Sequence, residues 1–174
     1  MKKTLAMKHN HININMIDAF VFDFDGVLTN NLVHLDHHGD EWVSCNRADG
    51  LAFDLLLKLN KPTYILSTEK NPVVAARAKK LKVPVIQGVD NKLNSIKELA
   101  DKENFKINRV LYVGNDLNDY HVMLLCGYTA CPFDSHSKIK EISDFVLKTC
   151  GGHGIVRELL DDVLALDLLE ILYK

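Results

Sequence analysis

Two aspartates that could act on a phosphate group, Asp23 and Asp25, come directly after an apolar run, Ile17 to Phe22. The run predicts a buried strand, so both carboxylates emerge at its end, where Gly26 allows the chain to turn sharply. At the carboxyl edge of a parallel sheet, such a pair lies where open α/β folds bind ligands. Asp23 could then attack phosphorus as a nucleophile, and Asp25 could exchange protons with the leaving and attacking oxygens. A strand that ends in solvated aspartates before a turn explains the same short motif.

Ser67 and Lys92 carry the next polar groups that stand at the ends of predicted elements. Ser67 and Thr68 follow the β-rich residues 64–66, where a hydroxyl and backbone N–H groups can hold a phosphoryl oxygen. Lys92 opens a predicted helix, from which its charge can offset those of a phosphate and of the nucleophile. The alternatives are a helix cap or turn at Ser67 and a solubilising surface position for Lys92.

A cluster of amide and carboxylate oxygens follows the run 110–114. It contains Asn115, Asp116 and Asp119. Oxygen ligands of this kind suit Mg²⁺, a hard cation that takes few protein ligands and keeps several waters. A turn rich in Asn and Asp that caps the next helix is the alternative. Each signal is weak or moderate alone, but their order on successive predicted strand ends makes the set strong.

Strands and helices alternate along most of the chain. Strands are predicted at 17–22, 63–67, 83–87, 110–114 and 145–148. Helices are predicted at 48–59, 73–80, 92–104, 118–125 and 155–172. This alternation indicates βαβ units and an α/β fold, a Rossmann-like three-layer sandwich whose mostly parallel sheet is covered on both faces.

The segment 29–45 departs from this alternation. Residues 32–35 and 41–43 are β-rich, and the polar residues 36–40 separate them, a pattern typical of a β-hairpin. The hairpin leaves the sheet just after the aspartate pair. We therefore expect a small flap over the site in place of a large cap domain.

Length, composition and charge describe one ordinary globular domain. The 174 residues, 47% of them hydrophobic, suffice to bury a sizeable core, and the net charge of −2 gives no reason to expect binding to nucleic acid or an anionic membrane. No run approaches the ~18 apolar residues of a membrane span, and the polar start has no signal-peptide core. No two of the four cysteines have C-x-x-C spacing. Cysteines without that spacing, in a chain of this size, are typical of reduced thiols in a cytosolic protein. We expect a flexible N-terminal extension at 1–16, a single domain at 17–174 and a cytoplasmic location.

The ordered set of sites resembles the haloacid dehalogenase (HAD) superfamily of Mg²⁺-dependent phosphotransferases, over residues 17 to about 158. Within it, the sequence is similar to the 3-deoxy-D-manno-octulosonate 8-phosphate phosphatase group. That group includes phosphatases of nine-carbon nonulosonate 9-phosphates and the C-terminal domain of some acylneuraminate cytidylyltransferases. The likeness to the group rests on the hairpin and on Asp25-Gly26-Val27-Leu28-Thr29, Arg47-Ala48-Asp49-Gly50, Gln87-Gly88, 114–119 and Gly151-Gly152-His153-Gly154 with Arg157-Glu158.

The resemblance implies a role for each site residue. Asp23 would be the nucleophile, Asp25 the general acid and base, Ser67 a phosphoryl ligand and Lys92 a stabiliser of charge. The Mg²⁺ ligands would be Asp23, Asp25 through its backbone carbonyl, Asn115 and Asp116. The resemblance also implies a homotetramer in which neighbouring subunits cap each active site, with the Gly151–Gly154 segment acting across the boundary.

Two positions depart from the octulosonate phosphatase pattern. Asn115 stands where these enzymes usually have an Asp metal ligand, so an amide oxygen would bind Mg²⁺ with lower affinity unless Asp116 or Asp119 compensates. Glu69 and Lys70 follow Ser67-Thr68 where Thr-Gly-Arg is typical, and they resemble the nonulosonate phosphatases instead. The expected substrate contacts are Thr68, Glu69, Arg77, Lys80, Asp119 and His153. An ordinary basic helix surface is the alternative for Arg77 and Lys80, which share one helix face.

The main hypothesis is a Mg²⁺-dependent phosphatase of a 2-keto-3-deoxy sugar acid phosphate, either octulosonate 8-phosphate or nonulosonate 9-phosphate. The reaction would pass through an aspartyl-phosphate, and the resemblance implies a place in lipopolysaccharide or sialic acid biosynthesis. The alternative is a weakly active or inactive HAD-type oligomerisation module associated with acylneuraminate cytidylyltransferase. Asn115 and the apolar tail 163–172 motivate that alternative. Phosphotransfer to another acceptor is a lesser possibility.

Overall fold

A six-stranded, entirely parallel sheet forms the centre of the molecule. The computed structural model describes residues 12–174. The sheet strands are β1 Ala19–Phe22, β4 Thr63–Leu66, β5 Val85–Ile86, β6 Val110–Val113, β7 Tyr128–Cys131 and β8 Phe145–Val146. They lie in the order β5-β4-β1-β6-β7-β8, and β2 His34–Leu35 and β3 Glu41–Trp42 form a separate antiparallel pair. The predicted α/β class and parallel sheet are confirmed.

Helices cover both faces of the sheet. They are α1 Arg47–Lys58, α2 Val73–Leu81, α3 Lys92–Glu103, α4 Tyr120–Leu125, α5 Ser137–Ile142, α6 Ile155–Glu158 and α7 Leu168–Tyr173. One core cluster joins the sheet to α1, α2 and α6, and a second joins its other face to α3, α4 and α5. The three-layer prediction is confirmed as well.

The register of β1 brings the chemistry-bearing residues to one edge. Phe22, the last residue of β1, lies opposite Ile65 on β4 and Val113 on β6. Side chains alternate between faces along a strand, so Phe20 and Phe22 pack in the α1 layer while Ala19 and Val21 pack in the α3 layer. Asp23 continues that alternation, so it lies on the face toward α3, the helix that begins with Lys92.

The hairpin of β2 and β3 forms as predicted and is largely exposed. His34 pairs with Trp42, and their rings stack with centroids 4.2 Å apart. Leu35 is 66% exposed and Trp42 is 57% exposed. The hairpin thus covers little of the core and presents apolar side chains outward.

Three parts of the fold differ from the sequence prediction. Strand β7 and helix α5 were not predicted, because Tyr128–Cys131 has four residues and Ser137–Ile142 has six, too few for a clear periodic pattern. The single helix predicted at 155–172 is broken: α6 is followed by a π-helical turn at Leu159–Val163. Ala165 then adopts a left-handed backbone with φ 49°, and the Asp167 side chain caps α7.

The N-terminal boundary also shifts within the described chain. Residues 1–11 of the predicted extension lie outside the described residues. Ile12 is 1% exposed and packs in the core, and a 3₁₀ turn follows at Ile14–Met16. Residues 12–16 therefore belong to the packed domain, because Ile12 adds apolar surface to the core. None of the helices formed by residues 12–174 is long and apolar enough to cross a bilayer.

Asp49 joins helix α1 to the first turn of α6. Its Oδ1 accepts hydrogen bonds from the backbone N–H groups of Val156 (2.8 Å) and Arg157 (3.2 Å), while Oδ2 is buried without a hydrogen-bond partner. Burial raises the pKa of Asp49 from 3.8 to about 6, and the two N–H donors offset part of that rise. The folded protein therefore holds this proton more tightly than the unfolded chain does. The contribution of Asp49 to the free energy of unfolding falls as pH rises from about 4 to about 6.

We expect Asp49→Asn to remove this pH-dependent loss, because the amide keeps an acceptor for the two N–H groups and cannot ionise. The free energy of unfolding of the variant, relative to the unchanged protein, should rise by on the order of 2 kcal/mol between about pH 4 and pH 7. Urea unfolding across that pH range measures the difference.

Asp54→Asn is the matched control, since Asp54 lies exposed on the same helix. The free energy of unfolding of Asp54→Asn, relative to that of the unchanged protein, should show no comparable rise with pH. An Asp49→Asn difference that stays constant, or that shrinks as pH rises, would contradict the assignment.

Candidate active site

A cleft of about 330 Å³ opens at the carboxyl edge of the sheet. Loops after β1, β4 and β6 form it, as expected for an open parallel sheet. The residues that line it are Asp23, Asp25, Asn31, Ser67, Thr68, Asn115, Asp116, Leu117 and Asn118. Sequence reasoning named six of these nine as site residues and left out Asn31, Leu117 and Asn118.

Asp23 extends β1 into the floor of the cleft. Its backbone N–H donates to the Val113 carbonyl of β6, so the neighbouring strand fixes its main chain. Its Oδ1 accepts a 2.7 Å hydrogen bond from the Phe24 N–H and lies 2.7 Å from Lys92 Nζ. The carboxylate of Asp23 is thus held in one orientation at the start of the turn.

Lys92 joins Asp23 to a second buried carboxylate. Its Nζ lies 2.7 Å from Asp119 Oδ1 as well, and the side chains of Lys92 and Asp119 are 1% and 0% exposed. Asp119 Oδ2 accepts the Asn115 N–H at 2.9 Å, and Asp119 Oδ1 accepts the Tyr112 hydroxyl at 2.8 Å. The predicted substrate contact at Asp119 is therefore wrong for this fold. Its side chain is fully buried behind the cleft and positions Lys92.

Burial shapes the charges of this cluster. Burial, followed by the charge of Asp119, raises the pKa of Asp23 to about 8, while Lys92 acts in the opposite direction. The two carboxylates raise the pKa of Lys92 despite its burial, so its charge is retained. Burial and the Asp119 charge raise the pKa of Tyr112 well above its ordinary value, so its hydroxyl stays a donor. A cation bound in the cleft would favour ionised Asp23.

Asp25 stands in the turn that follows, where it is half-buried. The Thr29 hydroxyl lies 3.4 Å from Asp25 Oδ1 and accepts the Gly26 N–H at 3.2 Å. Burial, and then the charge of Glu69, raises the pKa of Asp25. Its side chain therefore borders the cleft with fewer direct partners than Asp23 has.

Ser67 directly follows β4 and lines the cleft with the two aspartates. It is 1% exposed, its N–H donates to the Ile86 carbonyl, and its Oγ accepts the Glu69 N–H at 3.0 Å. Thr68 is exposed on the cleft wall. Ser67 thus adds a hydroxyl, held by the Glu69 N–H, to the cleft that Asp23 also lines.

Asn115 supplies a buried oxygen suited to a metal ion. Its Oδ1 has no hydrogen-bond partner, although the residue is 8% exposed and lines the cleft with Asp23 and Asp25. Within the described chain, no three His, Cys, Asp or Glu side chains are grouped closely enough to hold a metal. A divalent ion would therefore use the two aspartates, the Asn115 amide, backbone carbonyls and water, a set that fits Mg²⁺. Asp116 lies exposed at the rim, and its Oδ1 accepts the Leu117 N–H.

Gly26 and Gly151 are required by close packing beneath the cleft. Gly26 has φ +75°, and a Cβ there would lie 1.9 Å from Asn115 Nδ2. A Cβ on Gly151 would lie 2.2 Å from the Gly26 carbonyl oxygen. The Gly152 N–H donates to the Val27 carbonyl at 2.9 Å. The segment 151–154 therefore packs against the turn that contains Asp25 and Gly26 in the same chain.

Within the described part of the chain, four of the predicted substrate contacts do not line the cleft. Glu69 Oε1 accepts the N–H groups of Lys70 and Asn71 in its own loop. Arg77 Nη2 donates to the Asn46 carbonyl, and its Nε is buried without a hydrogen-bond partner. The other two, Lys80 and His153, are exposed. Their roles in binding stay predictions.

We expect Lys92→Met to lower the free energy of unfolding by about 3 kcal/mol, because Asp23 and Asp119 lose the buried cation between them. Denaturant unfolding at neutral pH, with divalent metal removed by a chelator, measures this loss. Lys97→Met is the matched control, since Lys97 lies exposed on the same helix. The control should change stability by less than ~0.5 kcal/mol. Equal stability of the two variants would contradict the bridging role of Lys92.

Residues 60–159 match the family model of haloacid dehalogenase-like hydrolases. The 3-deoxy-D-manno-octulosonate 8-phosphate phosphatase of Salmonella typhi is 33% identical over 146 residues, which are 83% of this chain and 78% of that protein. The sequence alone had indicated this superfamily and this group.

Solved structures of similar proteins have the same fold as this chain. A HAD family hydrolase structure from Streptomyces avermitilis has a TM-score of 0.87 and 40% identity, and covers 91% of this chain and 97% of its own. The octulosonate 8-phosphate phosphatase of Moraxella catarrhalis, solved with magnesium, phosphate and the sugar acid, has a TM-score of 0.82 and 27% identity. That match covers 86% of this chain and 87% of the other. The chain therefore belongs to the haloacid dehalogenase-like hydrolases and, among them, to the phosphoric monoester hydrolases.

Proposed function

We propose that this enzyme hydrolyses the phosphate ester of a 2-keto-3-deoxy sugar acid through an aspartyl-phosphate on Asp23. The observation that carries the proposal is the buried contact of Asp23 with Lys92, 2.7 Å apart at the floor of a cleft that Asp25 and Ser67 share. A buried nucleophile, a fixed cation and a nearby second carboxylate are the groups that this chemistry needs.

In the first half of the reaction, a carboxylate oxygen of Asp23 attacks phosphorus in line with the departing sugar oxygen. The Asp23–phosphorus bond forms as the phosphorus–sugar oxygen bond breaks, and Asp25 gives its proton to that oxygen. Ser67 donates its hydroxyl to a phosphoryl oxygen, and Lys92 offsets negative charge at Asp23. Positioning and charge stabilisation are the main requirements of phosphoryl transfer.

In the second half, water displaces Asp23. Asp25, now without its proton, takes one from a water molecule whose oxygen attacks phosphorus. The bond from phosphorus to Asp23 breaks, inorganic phosphate leaves, and Asp25 carries the proton for the next cycle.

A divalent cation would be held by Asp23, the Asp25 backbone carbonyl and Asn115, with Asp116 at the rim. When bound, Mg²⁺ supplies charge stabilisation for the transferring phosphoryl group. The unpartnered Asn115 Oδ1 supports this assignment.

The substrate class is proposed from the relatives and from the open cleft. The sugar would enter past Asn31 and Thr68, which line the cleft and are exposed. The exposed apolar side chains of the hairpin, Leu35 and Trp42 among them, support a homotetramer in which a neighbouring subunit covers this opening. Glu69, Arg77, Lys80 and His153 are then expected to reach the sugar only in the assembled enzyme.

Phosphate release from a small substrate panel tests the function. The panel contains octulosonate 8-phosphate, two nonulosonate 9-phosphates and a generic aryl phosphate, each with Mg²⁺. We expect a sugar acid phosphate to be preferred over the aryl phosphate. Asp23→Asn should release phosphate about a thousandfold more slowly, because the amide is a poor nucleophile.

The outcome of the panel separates the candidates. Preference for a nine-carbon substrate would support roles for Glu69, Arg77 and Lys80, and preference for the eight-carbon one would assign them to the surface. Full activity of Asp23→Asn would overturn the mechanism. Release no faster than from Asp23→Asn with every substrate would favour the oligomerisation module.

We expect Asn115→Asp to bind Mg²⁺ roughly tenfold more tightly, since it adds a charge at the metal position. Isothermal titration with Mg²⁺ measures the affinity. The turnover number should change by less than about threefold, because the amide oxygen already serves as a ligand.

Asn108→Asp is the control for added charge, since Asn108 lies exposed before β6, at the opposite edge of the sheet. Its Mg²⁺ affinity should equal that of the unchanged protein. A hundredfold gain in turnover for Asn115→Asp would point to a decayed site. Unchanged Mg²⁺ affinity in that variant would remove Asn115 from the metal site.

A further inference from the structure

Tyr112 places a buried hydroxyl behind the catalytic cluster. The residue is 0% exposed and sits on β6, and its ring packs in the apolar layer with Ile96 of α3 and Val122 of α4. Its hydroxyl donates to Asp119 Oδ1 at 2.8 Å. A hydroxyl buried among apolar side chains is costly without a partner, so the pairing with Asp119 fixes both groups.

Asp119 distributes its two oxygens between two parts of the site. Oδ1 accepts from Tyr112 and contacts Lys92, while Oδ2 accepts the Asn115 N–H at 2.9 Å. One carboxylate thus connects the cation at the nucleophile with the backbone of the loop that carries Asn115. Rotation of this carboxylate would displace both.

Tyr112 is the neutral donor that opposes such rotation. Asp119 and Lys92 stand on segments that precede or begin helices, whereas Tyr112 lies within a strand whose two neighbours are β1 and β7. The aromatic ring has two side-chain torsions and is packed on all sides, so its oxygen has a fixed place. No solvent reaches Asp119 to replace a missing donor.

We propose that Tyr112 is a positioning residue for phosphoryl transfer, whose hydroxyl orients Asp119 and thereby holds the Lys92 ammonium against Asp23. The inference rests on the proposed phosphatase function. It concerns a residue that touches neither substrate nor metal and acts through two others.

Tyr112→Phe tests the inference, because it removes one oxygen and keeps the packed ring. We expect kcat to fall roughly 5- to 20-fold with KM changed less than about twofold, since a hydrogen bond to a charged group is lost behind the reacting atoms. Tyr64→Phe is the matched control. Tyr64 is 7% exposed and packs in the same layer, but its hydroxyl bonds Glu103, remote from the cleft. Its kcat should match that of the unchanged enzyme.

A double variant separates positioning from general loosening of the core. In an Asp119→Asn background, adding Tyr112→Phe should lower kcat by less than about twofold, because the carboxylate through which Tyr112 acts is gone. Both comparisons use the aryl phosphate and Mg²⁺, with thermal unfolding recorded for each variant. An unchanged kcat in Tyr112→Phe, or an equal drop in both backgrounds, would overturn the inference.

The same series distinguishes this inference from the proposed function. An active unchanged enzyme with an equally active Tyr112→Phe variant overturns the role of Tyr112 alone. An unchanged enzyme that releases no phosphate from any substrate of the panel overturns the proposed function, and the role of Tyr112 with it.

Discussion

The buried ammonium of Lys92 between the carboxylates of Asp23 and Asp119 is the interaction on which the site depends. All three side chains are almost fully removed from solvent. Charges in such surroundings are stable only with good geometry, because each has lost its hydration. The two 2.7 Å contacts provide that geometry, and the hydrogen bonds from Phe24, Tyr112 and Asn115 satisfy the carboxylates further. A network of this kind fixes the Asp23 carboxylate in one place, which is the preorganisation that charge-stabilising catalysis requires.

The strand order of the sheet brings the groups around this network together. Asp23 must leave the central strand, with β4 on one side to carry Ser67 and β6 on the other to carry Asn115. The alternation of side chains along β1 turns Asp23 toward the layer of α3, where Lys92 begins the helix. Ser67, Asn115 and the Lys92 ammonium thus come from segments that are far apart in sequence. The parallel register brings them to the same edge.

The polar residues at strand ends were predictable from the sequence, since apolar runs mark strands and parallel strands share their carboxyl edge. The features that the sequence did not indicate depend on contacts between residues that only the fold brings together. Tyr112 is one aromatic residue in an apolar run, and nothing local shows that its hydroxyl meets Asp119. Asp119 looks like any acidic residue of a polar turn until its burial is known. The break of the last helix depends on Ala165, which adopts a left-handed backbone. That conformation is common for glycine and rare for alanine, so the residue type does not predict it.

The close packing beneath the cleft contrasts with the exposure of the cleft wall. Gly26, Asn115 and Gly151 pack so closely that a single added Cβ would collide, so the turn beneath the cleft has no room to vary. Asn31 and Thr68 at the cleft wall, and the hairpin beyond, are exposed instead. Arg77 is held by the Asn46 carbonyl, away from the cleft lining. The closely packed residues thus lie at the buried edge of the sheet, and the residues that are free to contact a substrate lie on the exposed wall of the cleft.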